Sequence, residues 1–107
     1  MNKFSVVLSV AVCAAALHAC TWVKTTPEGQ GVRVASAAEV IACERKGKVT
    51  VSVKSRVSSV ERKPTKVATE LATLARNEGA LLGGDTVVAE SPVAEGRQVF
   101  GVYRCQP

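Results

Sequence analysis

Of the side chains able to act as nucleophile, metal ligand or proton carrier, this chain holds four cysteines, Cys13, Cys20, Cys43 and Cys105, and a single histidine, His18. His18 closes an N-terminal segment in which Asn2 and Lys3 precede an uncharged apolar run, residues 4–17, the composition of a secretory signal. Removal of residues 1–19 takes the histidine with it. The mature chain then has no Ser/His or Cys/His pair and no histidine for a metal. Glu39, Glu44, Glu61, Glu70, Glu78, Asp85, Glu90 and Glu95 show no paired spacing that singles out an acid and a base. Gly79, Gly83 and Gly84 end a helical pattern, whereas the glycines of a phosphate loop precede a helix and run into Gly-Lys-Ser/Thr. The expectation is a protein without enzymatic activity, cofactor or metal.

Leu17-His18-Ala19-Cys20 resembles the lipobox of bacterial lipoproteins, in which the cysteine is lipidated and becomes the new N-terminus. Leu17, Ala19 and Cys20 match it, and His18 stands where a small or β-branched residue is typical. The resemblance implies acylation of Cys20, and several acyl chains anchor stably where one does not. Thr21 is not the aspartate that retains such proteins in the inner membrane, which implies the outer membrane, facing the periplasm. The apolar run is short against the roughly 20 residues of a membrane span; an uncleaved N-terminal anchor is the alternative. With Cys13 removed and Cys20 acylated, Cys43 and Cys105 remain as an even pair in an oxidising compartment, where a disulfide is expected.

Residues 67–85 carry the only sustained helical periodicity, with Ala68, Leu71, Ala72, Ala75, Gly79 and Leu82 on one face. So small a face predicts a helix lying close to a sheet, Leu71 and Leu82 filling the edges of the contact. Gly83 and Gly84 stop it, and Pro64 suits its first turn. Residues 47–57 read as a strand, with Val49, Val51 and Val53 facing the helix and Thr50, Ser52 and Lys54 facing away. Residues 31–34 form a short strand. Ser36 and Glu39 make a capping box ahead of Val40 and Ile41. Residues 58–63 are a polar connection, and residues 86–89 and 97–105 are strands joined by a hairpin loop.

Residues 20–30, with Pro27 and Gly29, read as a lipidated, solvated tether; Trp22 within it either dips into the membrane interface or plays no part. The predicted domain, residues 31–107, is a small two-layer α+β fold, one helix on a mostly antiparallel sheet of three to five strands. The order of elements brings Cys43 and Cys105 to the same end of the sheet. A bridge there closes a loop of about 63 residues, worth about 4 kcal/mol in the chain-entropy account.

Without Lys3 the mature chain keeps 13 of the 14 basic residues against 9 acidic ones. Arg45, Lys46, Lys48, Lys54 and Arg56 cluster on or beside the central strand, where they are candidate contacts for anionic lipid or peptidoglycan. The alternative is that strand lysines only keep an exposed edge from pairing. Trp22, Phe100 and Tyr103 are too few rings for single-stranded nucleic acid, so no nucleic-acid partner is expected.

Cys43 with Gly47, Arg76-Asn77, Ala80, Gly83-Gly84-Asp85 and Gly101-x-Tyr103-x-Cys105, after a Val32-Arg33-Val34 lead-in, resemble the small bacterial lipoproteins grouped as domain of unknown function 4156. Asp85 stands where asparagine is common and Lys46 where an apolar residue is usual. More distantly the layout is similar to RcsF-type envelope-stress sensors, whose domains carry two disulfides. These resemblances imply lipid anchoring at Cys20 and the Cys43 to Cys105 bridge, and carry over no activity of their own. The function expected is an outer-membrane-anchored periplasmic lipoprotein, an interaction or sensor module for an envelope partner. The alternative is a structural envelope protein whose basic strand face binds anionic lipid or peptidoglycan.

Overall fold

The computed structural model describes residues 23–57 and 60–107. The expected signal segment, Cys20, Thr21 and Trp22 lie outside them. Valine alternating with polar residues builds strand β2 (Glu44–Ser52), in which Val51 is buried and Val49 half-buried while Lys48, Thr50 and Ser52 are exposed. Val53, just past the strand, continues the inward row. The strand starts ahead of Gly47 and stops short of residue 57. A bulge between Arg45 and Gly47, with Gly47 at φ 143°, breaks the two-residue period at its start and hides those residues from a pattern reading. At the other end the chain leaves the sheet and forms a two-stranded ribbon, β3 (Arg56–Val57) with β4 (Val60–Glu61), where a longer strand and a polar connection were expected.

Helix α1 (Pro64–Leu81) opens on Pro64, whose missing N–H has no partner to lose in the first turn. Val67, Leu71, Ala75 and Gly79, four apart, are its buried row. A Cβ on Gly79 would lie 2.8 Å from Val87 Cγ1, so the bare glycine is what lets the axis approach the sheet. Two expected face residues differ. Val67 rather than Ala68 leads the row, and Leu82 is 42% exposed. The reason is the stop: the Gly83 N–H donates to the Ala80 carbonyl and the Gly84 N–H to the Gly79 carbonyl, each at 3.0 Å, with Gly83 at φ 83°. This Schellman closure ends helical geometry at Leu81 and turns Leu82 off the face.

The remaining strands are β1 (Arg33–Val34), β5 (Thr86–Ala89) and β6 (Arg97–Arg104). They join β2 in one sheet of order β1-β5-β6-β2, antiparallel except for β1 on β5. One helix on a four-stranded, mostly antiparallel sheet is the expected α+β architecture. Val32, Val51, Val67, Leu71, Ala75, Val87, Phe100 and Val102 form the core between the two layers. The β5–β6 hairpin turns on Glu95 and Gly96, both at positive φ, between Ala94 and Arg97, which exchange two main-chain bonds of 3.0 Å. Glu44 lies opposite Arg104, so the residues just outside them, Cys43 and Cys105, meet at one end of the sheet and are bridged with Cα atoms 4.5 Å apart.

The expected capping box is present on the 3-10 turn Ala37–Val40: the Ser36 N–H and hydroxyl donate to Glu39 Oε1 at 3.1 and 3.0 Å. Arg33 Nη1 donates to Glu39 Oε2 at 2.9 Å, and this bond first, then those from Ser36, holds the Glu39 carboxyl down to about 2.

Candidate functional site

Paired residues of neighbouring strands project to the same face, so the register lays out the side of the sheet turned away from α1. One row there holds Arg45, Tyr103 and Thr86, and the next holds Lys48, Gly101 and Val88. Thr50 lies opposite Val99, whose carbonyl accepts the Glu90 N–H at 2.8 Å.

Arg45 crosses this face diagonally. Its guanidinium closes on Glu90 through two bonds, Nη1 to Oε2 at 2.6 Å and Nη2 to Oε1 at 3.1 Å, and Nη1 also donates to the Tyr103 hydroxyl at 2.8 Å. The cation sits 5.4 Å from the centre of the Tyr103 ring, within cation–π range. The path exists because residue 101 has no side chain: a Cβ there would lie 2.9 Å from Arg45 Nη1 and would collide with Glu90 Oε2. Hydrogen bonding from Arg45 holds the Glu90 carboxyl below its usual value, against the opposing effect of burial. The glycine and tyrosine of the Gly101-x-Tyr103-x-Cys105 signature thus serve one bidentate bridge.

The five candidate cations are dispersed. Arg45 pairs with Glu90, Lys46 in the bulge with Glu44 at 3.5 Å, and Arg56 on the ribbon with Glu61 at 3.3 Å. Lys48 is on the outer face of β2 and Lys54 beyond its end; neither has an ion pair among the described residues. The open edge of β2 adds main-chain groups. Residues 99 and 103 of β6 turn their carbonyls to β5, and the Val53 N–H donates to the Gly96 carbonyl on the β6 side at 2.8 Å. By alternation Lys48, Thr50 and Ser52 present N–H and C=O groups outward, where no strand lies among the described residues.

Three further arrangements were not legible as sites. Glu70, 8% exposed on α1, accepts from Arg62 Nη2 at 2.8 Å while Arg62 Nη1 donates to the Lys54 carbonyl at 3.0 Å, tying the ribbon to the helix. The bond from Arg62 lowers the Glu70 carboxyl and more than offsets its burial. Asp85 accepts the Cys105 N–H at 2.8 Å and the Gln106 N–H at 2.9 Å on its two oxygens. Burial pushes its carboxyl up, but these two bonds, with the Thr86 hydroxyl, outweigh that and keep it below its usual value. Both oxygens are used, which an asparagine at this place does not reproduce.

Asn77 is the third. Its Oδ1 accepts the Thr26 N–H at 2.8 Å and its Nδ2 donates to the Lys24 carbonyl at 3.0 Å; next to it Arg76 Nε donates to the Val32 carbonyl at 2.6 Å. Residues 24–32, largely read from composition as solvated linker, are therefore docked along the helix. Gly29 is buried against Asn77, where a Cβ would collide with Oδ1.

Among the described residues, no group of three or more His, Cys, Asp or Glu is placed to hold a metal. No buried side-chain nitrogen or oxygen among them lacks a partner. What these residues define is a small disulfide-closed α+β domain with an N-terminal segment strapped to its helix and a long edge strand, β2, at one side of its sheet. The chain belongs to the family described as domain of unknown function DUF4156, whose profile matches residues 23–105. No curated protein matches it, and no solved structure does.

Proposed function

We propose that this chain is an outer-membrane-anchored periplasmic lipoprotein that binds another envelope protein and catalyses nothing. The anchor rests on the lipobox-like Leu17-His18-Ala19-Cys20, and the bridged Cys43 and Cys105 suit the oxidising compartment beyond it. The observation that carries the binding role is the open edge of β2: Lys48, Thr50 and Ser52 are exposed and turn main-chain donors and acceptors outward. An extended segment of a partner adds there as a fifth strand. The sensor role is the narrower form of this reading and rests on the RcsF-like layout alone.

The alternative, a basic face on anionic lipid or peptidoglycan, has less support because Arg45, Lys46 and Arg56 already hold carboxylates. The test is photo-crosslinking in intact cells from positions 50 and 52, repeated with Thr50→Pro, which removes an outward N–H without touching the ladder to β6. One recurrent protein adduct at 52, lost in the proline variant, is the expected result. Adducts only to glycan or lipid, weakened by salt, favour the alternative.

A further inference from the structure

The residues of β2 whose main-chain groups turn away from β6, Lys48, Thr50 and Ser52, stand in register with Gly101, Val99 and Arg97 on the face away from α1. Lys48 and Arg97 are exposed, as is Lys54 just past the strand, and none of the three has an ion pair among the described residues. The one carboxylate bordering these rows is Glu90, whose N–H donates to the Val99 carbonyl. Arg45 holds both of its oxygens, and Lys48 acts on it through charge alone. The edge is therefore bordered by cations over the about 13 Å from residue 48 to residue 52. On the side towards α1 the same strand is apolar, with Val51 buried and Val49 and Val53 half-buried. Leu82, 42% exposed, extends this row at the strand's start: its Cδ1 lies 3.5 Å from where a Cβ on Gly47 would stand.

Resting on the edge-addition reading above, we infer that the protein segment added to β2 is acidic on one side and apolar on the other. Its carboxylates lie opposite Lys48 and Ser52, four residues apart, and its apolar side chains alternate with them on the side towards α1. A carboxylate opposite Ser52 stands between two cations, Arg97 across the short serine and Lys54 two residues along. Opposite charges across a ladder stabilise it and like charges weaken it. The cations that turn away a basic strand thus accept an acidic one, and they set partner choice where main-chain bonds read no sequence. A second copy of β2 is a poor occupant: paired antiparallel about Thr50, it sets its own Lys48 against Ser52, beside Arg97 and Lys54.

The test offers the full-length protein in detergent micelles two end-capped synthetic peptides at millimolar concentration, Glu-Val-Thr-Val-Glu and Lys-Val-Thr-Val-Lys, which differ only in charge. Hydrogen exchange is read at the main-chain N–H groups of Lys48, Thr50 and Ser52. The acidic peptide should slow exchange there severalfold and the basic one should not. The double variant Lys48→Glu, Arg97→Glu, at two exposed sites outside the core, should reverse that preference. Equal protection by the two peptides, or a preference that the double variant leaves unmoved, overturns the acidic assignment and keeps the edge-addition reading. Protection by neither peptide also overturns the inference, and the in-cell crosslink from position 52 then decides the edge-addition reading by itself.

Discussion

Arg45 and Glu90 meet across Gly101, a bidentate pair that spans the middle strand of the outer sheet face and couples the edge strand β2 to the end of β5. The two residues are 45 apart in sequence, and neither has a partner on its own strand. Gly101 weakens β6 locally, since it fills no space and orders a flexible residue, but the same absence of a Cβ admits the pair. Tyr103, directly opposite Arg45, completes it.

Acid should loosen the domain. Glu90 is held below its usual value by Arg45, Glu70 by Arg62 and Asp85 by main-chain donors, while Glu39 is held at about 2. Each therefore binds protons less readily folded than unfolded, and the stability it lends is complete above the unfolded value, about pH 4. It is lost as pH falls through the folded values. Urea midpoints should be flat from neutral pH down to about pH 5 and then drop, a trend absent in the Glu70→Gln, Glu90→Gln double variant over the part those two supply.

Gly79→Leu should cost about 1 to 3 kcal/mol, because even the first added carbon comes within 2.8 Å of Val87 in the core. An unchanged melting temperature would remove Gly79 from the helix–sheet contact. Gly31→Ala, with nothing within 4 Å of the new carbon, is the matched control.

Cys105→Ala opens a bridge between residues separated by 62 positions and should cost about 4 kcal/mol by loop entropy. The bonds from Asp85 to the Cys105 and Gln106 N–H groups hold the same chain end. Asp85→Ala in the reduced protein should therefore fray β6 further, read as faster hydrogen exchange at Tyr103 and Arg104.

Asn77→Ala removes the side chain that receives Thr26 and holds Lys24. The loss should be about 1 kcal/mol of global stability, with hydrogen-exchange protection disappearing at Thr26, Gln30 and Val32 ahead of the core strands. Retained protection at Thr26 would show that the segment is held by something other than Asn77.

The parts of the fold legible in the sequence were those that follow a local period. Val49, Val51 and Val53 gave the buried face of β2, Gly83 the helix stop, Ser36 and Glu39 the turn before Cys43, and the order of strands placed Cys43 beside Cys105. What escaped depends on distance across the chain. The clasp of Asn77 on residues 24–26 joins positions about fifty apart, and a polar stretch looks the same whether docked or solvated. The bulge at Gly47 shifts the period by one residue and hid the start of β2. Leu82 leaves the expected face because the 100° spacing stops holding at the end of α1, Leu81. The Arg45–Glu90 bridge had one readable signal, a lone glycine at position 101 inside a strand pattern, which marks close approach of another group.

Membrane fractionation of cells expressing the wild type and Cys20→Ser tests the account most directly, with the mass of the mature N-terminus read from each. The wild type should appear in the outer-membrane fraction, beginning at an acylated Cys20, and Cys20→Ser should leave that fraction. A Cys20→Ser protein that stays in membranes, or a wild type whose N-terminus carries no lipid, would contradict it.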